Sequence, residues 1–228
     1  LSKRHAATNV QEYKEKGFTP KVILNYLSLL GWNPDSEKEI FDQNELINSF
    51  QFKQVQKKSA VFDEKKLLWI SQQHLSEMSV RDLMNEIYTL NPEWGDGLEW
   101  DYLKEVVKLI KDRSKTITEI TSMSEIFFKD KLEYDIDLLN KTFNDKSIAI
   151  IKDFQSALSS IEDWSRVEIE KIFEDIMEQH EVAIGQVMKP VRVAISGIPF
   201  GPGIFDLILL LGKEICQIRL RHALSVIQ

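Results

Sequence analysis

The residues best suited to chemistry lie in one run between Lys189 and Lys213, KPVRVAISGIPFGPGIFDLILLLGK. A short apolar helix carrying Arg192 is predicted first, and a second helix is predicted to open at residues 203–205 and to end at Gly212. Between them the chain turns through two glycines and two prolines, Gly197, Pro199, Gly201 and Pro202. Proline fixes φ and glycine permits positive φ, so we expect this turn to keep one shape. A rigid turn with an arginine at its base favours recognition over catalysis, and an ordinary corner between two helices is the alternative.

Motifs of enzymatic catalysis are absent from the sequence. The chain contains neither the phosphate loop G-x-x-x-x-G-K-S/T nor G-x-G-x-x-G, G-x-S-x-G or H-E-x-x-H. Its carboxylates fall on helix faces rich in charge, a pattern typical of a solvated surface. The four histidines are too scattered for a zinc site, so no metal site is predicted. Binding or assembly therefore remains as the activity of this stretch of chain.

The net charge of −7 argues against a general binder of polyanions, but its distribution is uneven. Carboxylates dominate residues 124–181, whereas cations dominate after Val182. These cations are Lys189, Arg192, Lys213, Arg219 and Arg221. A basic end on an acidic protein fits a binder with a defined footprint, and a randomly charged surface is the equal alternative. In the terminal helix, predicted from Glu214 to Ile227, Arg219, Arg221 and His222 are expected to face outward.

Apolar spacing predicts helices throughout, so the fold class is mainly α. The segment GFTPKVILNYLSLLGW has the best helix boundaries: Thr19 as N-cap, Pro20 at the first position and Gly31 as a left-handed stop. One of its faces is expected to be core, with Val22, Ile23, Tyr26, Leu27 and Leu30. A later helix, predicted from Asp163 to Glu178, is expected to bury Val167, Ile172, Phe173 and Ile176.

Two groups of cations lie at helix ends. Asp63 is predicted to cap a helix whose first turn contains Lys65 and Lys66, where the helix dipole gives cations no advantage. A phosphate partner would explain these lysines, and chance would also explain them. Another predicted helix ends in a basic segment, with Lys108, Lys111, Arg113 and Lys115, where favourable interaction with the dipole is sufficient explanation.

The apolar runs, the single cysteine and the first residues indicate where in the cell the protein is expected. No apolar run reaches the length of a membrane span, so no membrane association is predicted. The single cysteine, Cys216, excludes an internal disulfide and favours a reducing, cytoplasmic compartment. The first residues contain no initiator methionine and no signal-peptide pattern, so we expect the chain to be part of a longer protein.

Four segments, in the same order and at similar spacing, resemble the C-terminal half of a bacterial-type glutamyl-tRNA synthetase: SKRHAATNV, GFTPKVILNYLSLLGW, AVFDEKKLLWISQQHL and VRVAISGIPFGPGIFDLILLLGKE. The resemblance covers essentially the whole chain. It implies a helical stem-contact region over residues 1–80 and a two-part α-helical anticodon-binding domain, divided into residues 81–138 and 139–228. The catalytic Rossmann domain with its HIGH motif would precede residue 1 and is expected to be absent.

By the same resemblance, Ser2, Lys3 and Arg4 match the end of the K-L-S-K-R-type loop, which closes over ATP. A lysine at the position of Lys3 stabilises the phosphates while glutamate forms its adenylate. The full-length enzyme would use ATP with Mg and L-glutamate to charge its tRNA. This chain alone is expected to bind no cofactor and to form no adenylate.

The resemblance also assigns contacts to tRNA-Glu, the implied partner. Arg113 would read the third anticodon base, and Arg192, Pro202 and Ile204 would hold the other two, while Lys65 and Lys66 would contact the tRNA backbone. A monomer is expected. Whether the parent enzyme charges tRNA-Glu alone or also tRNA-Gln stays open. A helical protein-interaction module without tRNA specificity is the alternative function, and an ATP-binding protein, supported only by Lys3, is a third.

Overall fold

The computed structural model describes residues 9–34, 37–56 and 61–227. These residues form helices and no strand, and their only β-type pairing is an isolated bridge between Trp32 and Val55. The prediction of a mainly α fold is therefore confirmed. The chain divides into two compact units between Met123 and Ser124. The finer division at residues 80 and 138 stays a prediction.

The first unit contains seven helices among the described residues. They are α1 (Val10–Glu15), α2 (Pro20–Leu29), α3 (Gln43–Ser49), α4 (Glu64–Glu77), α5 (Val80–Leu90), α6 (Trp100–Ile110) and α7 (Ile117–Ser124). Helix α2 packs on α4 through a cluster of buried side chains: Phe18, Val22, Tyr26, Leu67 and Ile70. Because these apolar residues recur at helical spacing, their burial joins the two helices into one core.

The second unit contains α8 (Ile136–Thr142), α9 (Asp145–Ser160), α10 (Arg166–His180), α11 (Ile184–Ser196) and α12 (Ile204–Ile227). Helices α9 to α12 pack against one another, and Phe154 of α9 meets Phe173 of α10 edge to face with ring centroids 5.0 Å apart. Helix α12 is interrupted at Gly212, whose φ of 78° is not helical. The predicted end of a helix at Gly212 is thus observed as a break inside α12.

The left-handed stop at Gly31 and the burial of Leu27, both predicted for α2, are wrong. Thr19 occupies the N-cap position as predicted, but its side chain makes no capping hydrogen bond. Gly31 does not adopt positive φ, since α2 ends in right-handed geometry at Leu30. Leu27, expected in the core, is 43% exposed, because the inward face follows Val22 and Tyr26. The other predicted cap, Asp63, is confirmed by its hydrogen bonds to backbone N–H groups.

The buried face of α10 also differs from the prediction. The helix begins at Arg166 after the Ser165 cap, and its inward side chains are Ile169, Ile172, Phe173 and Ile176. Val167 is 70% exposed, so its predicted burial is wrong. At about 100° per residue, Val167 lies roughly opposite Ile169 on the helix surface, so both cannot face the core.

Candidate nucleic-acid interface

The glycine- and proline-rich turn predicted from the sequence is confirmed, and its geometry is tightly specified. Helix α11 ends at Ser196, and Gly197 follows with a φ of 72°, donating its N–H to the carbonyl of Val193. The Ser196 hydroxyl is buried and lies 2.8 Å from the carbonyl oxygen of Arg192. It also accepts a hydrogen bond from the N–H of Ile198 at 3.4 Å. The end of α11 and the start of the turn are therefore held together by one side chain.

The guanidinium of Arg192 lies against this turn. A Cβ built on Gly201 would stand 3.7 Å from Nη1 of Arg192, and Gly201 has a φ of 138° that other residues rarely adopt. The backbone geometry is what requires glycine at position 201, since a Cβ there would make only an ordinary van der Waals contact with Arg192. Arg192 is half-buried, and its Nη1 atom is shielded from solvent, so the side chain is partly enclosed at the turn.

The other two residues assigned to this site by resemblance, Pro202 and Ile204, are buried. Ile204 opens α12 and is 3% exposed. Their side chains therefore shape the turn from within, and any contact with a ligand at these positions is left to the backbone. Arg192 in α11, Pro202 in the turn and Ile204 at the start of α12 therefore lie on or beside the same turn, and their assignment to a binding site stays a prediction.

Phe200 is a residue of this turn that sequence reasoning missed. Its side chain is 68% exposed, and it lies between Pro199, which is exposed, and Gly201, which is half-buried. By contrast, Phe205 is packed, with Phe173 5.1 Å away edge to face and the Arg166 guanidinium 5.4 Å from its ring centroid. An aromatic residue in a turn flanked by prolines was the available signal for Phe200.

The prediction that Arg219 faces outward is wrong. Arg219 is fully buried, and Nη1 donates to the carbonyl of Ile195 at 2.7 Å. Nη2 donates to the carbonyl of Ile126 at 2.5 Å and to that of Lys129. Buried polar groups are stable only when hydrogen-bonded, and these carbonyls at helix ends supply the acceptors. Arg219 is thus part of the scaffold, and the basic surface expected near the C-terminus loses one of its cations.

Tyr134 secures the same end of α11. Its hydroxyl donates to the carbonyl of Ala194 at 2.6 Å, next to the carbonyl that Arg219 binds. Burial raises the pKa of Tyr134 to about 12, against a smaller lowering by Arg219, so the phenol stays protonated and can donate. Burial also raises the pKa of Cys216 to about 12, so its thiol is an inert core group.

In the first unit, Arg113 ends a 3-10 turn, Lys111–Arg113, that follows α6. Nζ of Lys111 donates to the carbonyl of Ser76 at 2.8 Å and to that of Met78 at 3.1 Å. Gln72 donates from Nε2 to the carbonyl of Asp112 at 3.1 Å. The turn is therefore anchored on the C-terminal end of α4, while Arg113 itself is exposed. Of these two cations, Lys111 has a structural role and Arg113 is accessible to a ligand.

The two lysines at the start of α4 also differ. Asp63 caps the helix by accepting from the N–H of Lys65 at 2.9 Å and of Lys66 at 3.2 Å. Nζ of Lys66 forms an ion pair with Glu39, whereas Lys65 is exposed and forms no ion pair within the described residues. Lys65 is thus the better placed of the two for a phosphate.

The residues matched to an ATP loop, Ser2, Lys3 and Arg4, lie outside the described residues. In the part of the chain that the structure describes, no three or more His, Cys, Asp or Glu side chains gather where they could hold a metal ion. Within the same residues, no helix is long and apolar enough to cross a membrane.

Comparison with known families places most of the chain in one of them. Residues 72–224 match the family model described as "Anticodon binding domain". Residues 1–69 match the model described as "tRNA synthetases class I (E and Q), catalytic domain".

Individual relatives agree with these family matches. Glutamate–tRNA ligase 2 of Thermoanaerobacter pseudethanolicus is 33% identical over 232 residues, which cover 100% of this chain and 48% of the relative. Glutamate–tRNA ligase of Desulforudis audaxviator is 37% identical over 235 residues, covering 99% of this chain and 47% of the relative. The chain therefore spans about half the length of the curated relatives it matches.

A solved structure shares the fold. The crystal structure of a glutamate tRNA ligase from Elizabethkingia meningosepticum in complex with its amino acid has a TM-score of 0.83 and 26% sequence identity. The match covers 95% of this chain and 43% of that chain.

Proposed function

The chain belongs to the anticodon-binding-domain family and is homologous to glutamate–tRNA ligases over about half of their length, and on that premise we propose that it binds tRNA-Glu and recognises its anticodon. The observation that best supports this proposal is the half-buried Arg192, held against a glycine- and proline-rich turn. The proposal makes this chain the part of the ligase that selects the tRNA.

Base recognition would be carried by the two arginines. A guanidinium can donate two parallel hydrogen bonds to a base edge, and bases splayed out of a loop present those edges to protein. Arg113 would read the third anticodon base, from an exposed position on a turn anchored by Lys111. Arg192 would hold one of the other two bases. Each such contact distinguishes the correct base by about 1–3 kcal/mol.

Pro202 and Ile204 would act through the shape and the backbone of the turn. Because both side chains are buried, they fix where the backbone of Gly201 and Gly203 runs. A backbone held in place can offer N–H and C=O groups to a base without losing further conformational entropy on binding. The burial of Pro202 and Ile204 is therefore compatible with their assignment, by resemblance, to the anticodon-binding site.

We assign the remaining tRNA contacts to the start of the chain. Residues 1–80 would contact the tRNA stem, and residues 81–138 and 139–228 would form the two anticodon-binding parts. Within the stem region, Lys65 would pair with a backbone phosphate, since Lys66 is engaged by Glu39. A phosphate contact of this kind contributes affinity that does not depend on sequence.

The parent enzyme would be a monomeric, cytoplasmic glutamate–tRNA ligase. It would join L-glutamate to ATP, with Mg, as glutamyl-adenylate with release of pyrophosphate, and would then transfer the glutamyl group to tRNA-Glu with release of AMP. Ser2, Lys3 and Arg4 would belong to the loop that closes over ATP. A lysine cation there would stabilise the negative charge that develops on the phosphates.

The test is equilibrium binding of the 228-residue chain to tRNA-Glu and to the same tRNA with a replaced anticodon, at about 50 and 200 mM salt. We expect tighter binding to the native anticodon at both salt concentrations and weaker binding of both RNAs at the higher one. Equal affinity for the two RNAs would contradict anticodon recognition. A stable protein partner together with that equality would favour the interaction-module alternative.

A further inference from the structure

The ring of Phe200 contributes little to the packing of the second unit, because most of it is exposed. The side chain of Phe200 is 68% exposed. By contrast, Phe205, five residues later, packs on Phe173 and Arg166. A single exposed apolar side chain is common on proteins and by itself indicates nothing. The position of Phe200 within the anchored turn is what sets it apart.

The backbone that carries Phe200 is held on both sides. Before it, Gly197 and the buried Ser196 close the end of α11, and Pro199 has a restricted φ. After it, Gly201 adopts a φ of 138° and Pro202 is buried. The ring therefore projects from a backbone with little freedom to rearrange, so a ligand that covers it loses little conformational entropy.

A cation lies one residue away along the turn. The guanidinium of Arg192 lies near Gly201, the residue that follows Phe200. Its Nη1 would be 3.7 Å from a Cβ at position 201. An exposed aromatic face next to an arginine matches the two groups by which proteins bind single-stranded nucleic acid: a ring on which a base stacks and a cation near the phosphates or base edges.

We propose that Phe200 is the stacking platform for one unstacked base of the anticodon loop, beside the base edge that Arg192 contacts. The proposal rests on the proposed function and adds a residue to its site. The two residues would do different work. Every base has a π face, so stacking on Phe200 contributes to affinity for any anticodon, whereas hydrogen bonds from Arg192 depend on the base.

The experiment compares three variants of the full chain: Phe200→Ala, Phe200→Tyr and Val167→Ala. Val167 is the matched control, because it is an exposed apolar residue of the same unit, 70% open and far along the chain from the turn. Each variant is first checked for an unchanged thermal unfolding midpoint. Affinities are then measured for tRNA-Glu and for the anticodon-replaced tRNA. The fluorescence of 2-aminopurine, placed in turn at each anticodon position, reports stacking directly, since stacking quenches it.

We expect Phe200→Ala to weaken binding of both RNAs by the same factor, about 5- to 150-fold. Phe200→Tyr and Val167→Ala should bind like the unmodified chain. At one anticodon position, bound 2-aminopurine should be brighter with Phe200→Ala than with the unmodified chain. Affinity and fluorescence equal to those of Val167→Ala would overturn the stacking role, as would a loss confined to one anticodon sequence.

The same measurements separate this inference from the proposed function. If the unmodified chain binds both RNAs equally while Phe200→Ala loses affinity and quenching, base reading fails and the stacking role stands. If the unmodified chain prefers the native anticodon while Phe200→Ala is unchanged, stacking fails and base reading stands. If the unmodified chain binds neither RNA, both proposals are overturned.

Discussion

Arg219 donates from Nη1 to the main-chain carbonyl of Ile195 at 2.7 Å, so that a fully buried guanidinium holds the last turn of α11 in place. The same side chain also binds the carbonyls of Ile126 and Lys129, which belong to the segment that opens the second unit. Arg192 lies one helical turn before the end of α11, so the hydrogen bonds of Arg219 to the end of this helix also help to fix the position of Arg192. The charge of Arg219, which supports the end of α11 near Arg192, is therefore itself removed from the surface.

Replacing Arg219 tests this support. We expect Arg219→Met to lower the free energy of unfolding by about 3 kcal/mol, because several buried carbonyls lose a charged donor. Arg221→Met is the matched control, since Arg221 is exposed two residues away on the same helix, and should change stability by less than about 0.5 kcal/mol. Urea unfolding followed by circular dichroism measures both. Similar values for the two variants would contradict the scaffold role of Arg219.

Substitution of Gly201 should destabilise the turn between α11 and α12. Gly201→Ala forces a side chain onto a φ of 138°, which we expect to cost about 1–3 kcal/mol of stability, while its methyl group would make only an ordinary van der Waals contact with Arg192. Gly185→Ala is the control: it lies in α11, and a Cβ there meets nothing within 4 Å. That variant should be neutral or gain up to about 1 kcal/mol. Thermal unfolding and tRNA-Glu binding are the measurements, and an unchanged Gly201→Ala would disprove the strain argument.

The two cations of the 3-10 turn should separate affinity from stability. Arg113→Ala should reduce the preference for the native anticodon by about 1–3 kcal/mol while the unfolding midpoint stays unchanged. Lys111→Ala should instead lower stability by about 1–3 kcal/mol, because the carbonyls of Ser76 and Met78 lose their shared donor. Binding titrations against tRNAs that differ at the third anticodon base provide the test. An equal loss of affinity on every such tRNA would exclude base reading by Arg113.

Lys65 and Lys66 should likewise behave differently in spite of being neighbours. Lys65→Ala should weaken binding of every tRNA alike. It should also reduce the slope of log affinity against log salt concentration by about one, as expected for one lost phosphate contact. Lys66→Ala should act chiefly by removing the ion pair with Glu39, which at the surface contributes about 0–1 kcal/mol to stability. Titrations over a range of salt concentrations distinguish the two. An unchanged salt slope for Lys65→Ala would remove it from the interface.

Protonation of His74 should destabilise the first unit in weakly acidic solution. Nε2 of His74 lies 2.8 Å from Oδ1 of Asn25, which also accepts from the N–H of Phe41. Burial lowers the pKa of His74 below its ordinary 6.5, a shift that Glu77 opposes and Lys21 reinforces. The unfolded chain therefore binds more protons than the native chain as the pH falls below about 6.5, so stability decreases over that range.

Urea unfolding of the unmodified chain and of His74→Gln at about pH 7.5 and pH 5.5 tests this prediction. The unmodified chain should lose more stability between the two pH values than His74→Gln does, because the amide does not titrate. Both proteins share every other titrating group, so these contributions cancel in the comparison. Equal losses would show that His74 does not contribute to the pH dependence.

The sequence by itself determined the local elements and the kinship of this protein. Apolar spacing predicted the helices, Asp63 was identified as a cap, and the glycines and prolines between α11 and α12 predicted the turn. These features depend on residues within a few positions of one another, where backbone geometry follows directly from residue type. The resemblance of the four ordered segments to the family also needed only the sequence.

Only the tertiary structure decided which charged and aromatic side chains are available to a ligand. The acceptors of Arg219 lie 24 to 93 positions earlier in the chain, and Glu39 lies 27 positions before Lys66, so neither pairing is visible in local spacing. Phe200 and Phe205 are the same residue type and lie five positions apart, but Phe200 is exposed and Phe205 packs on Phe173. Helical periodicity identifies a face, but burial depends on which distant groups meet that face, because a buried charge is stable only where distant acceptors complete its hydrogen bonds.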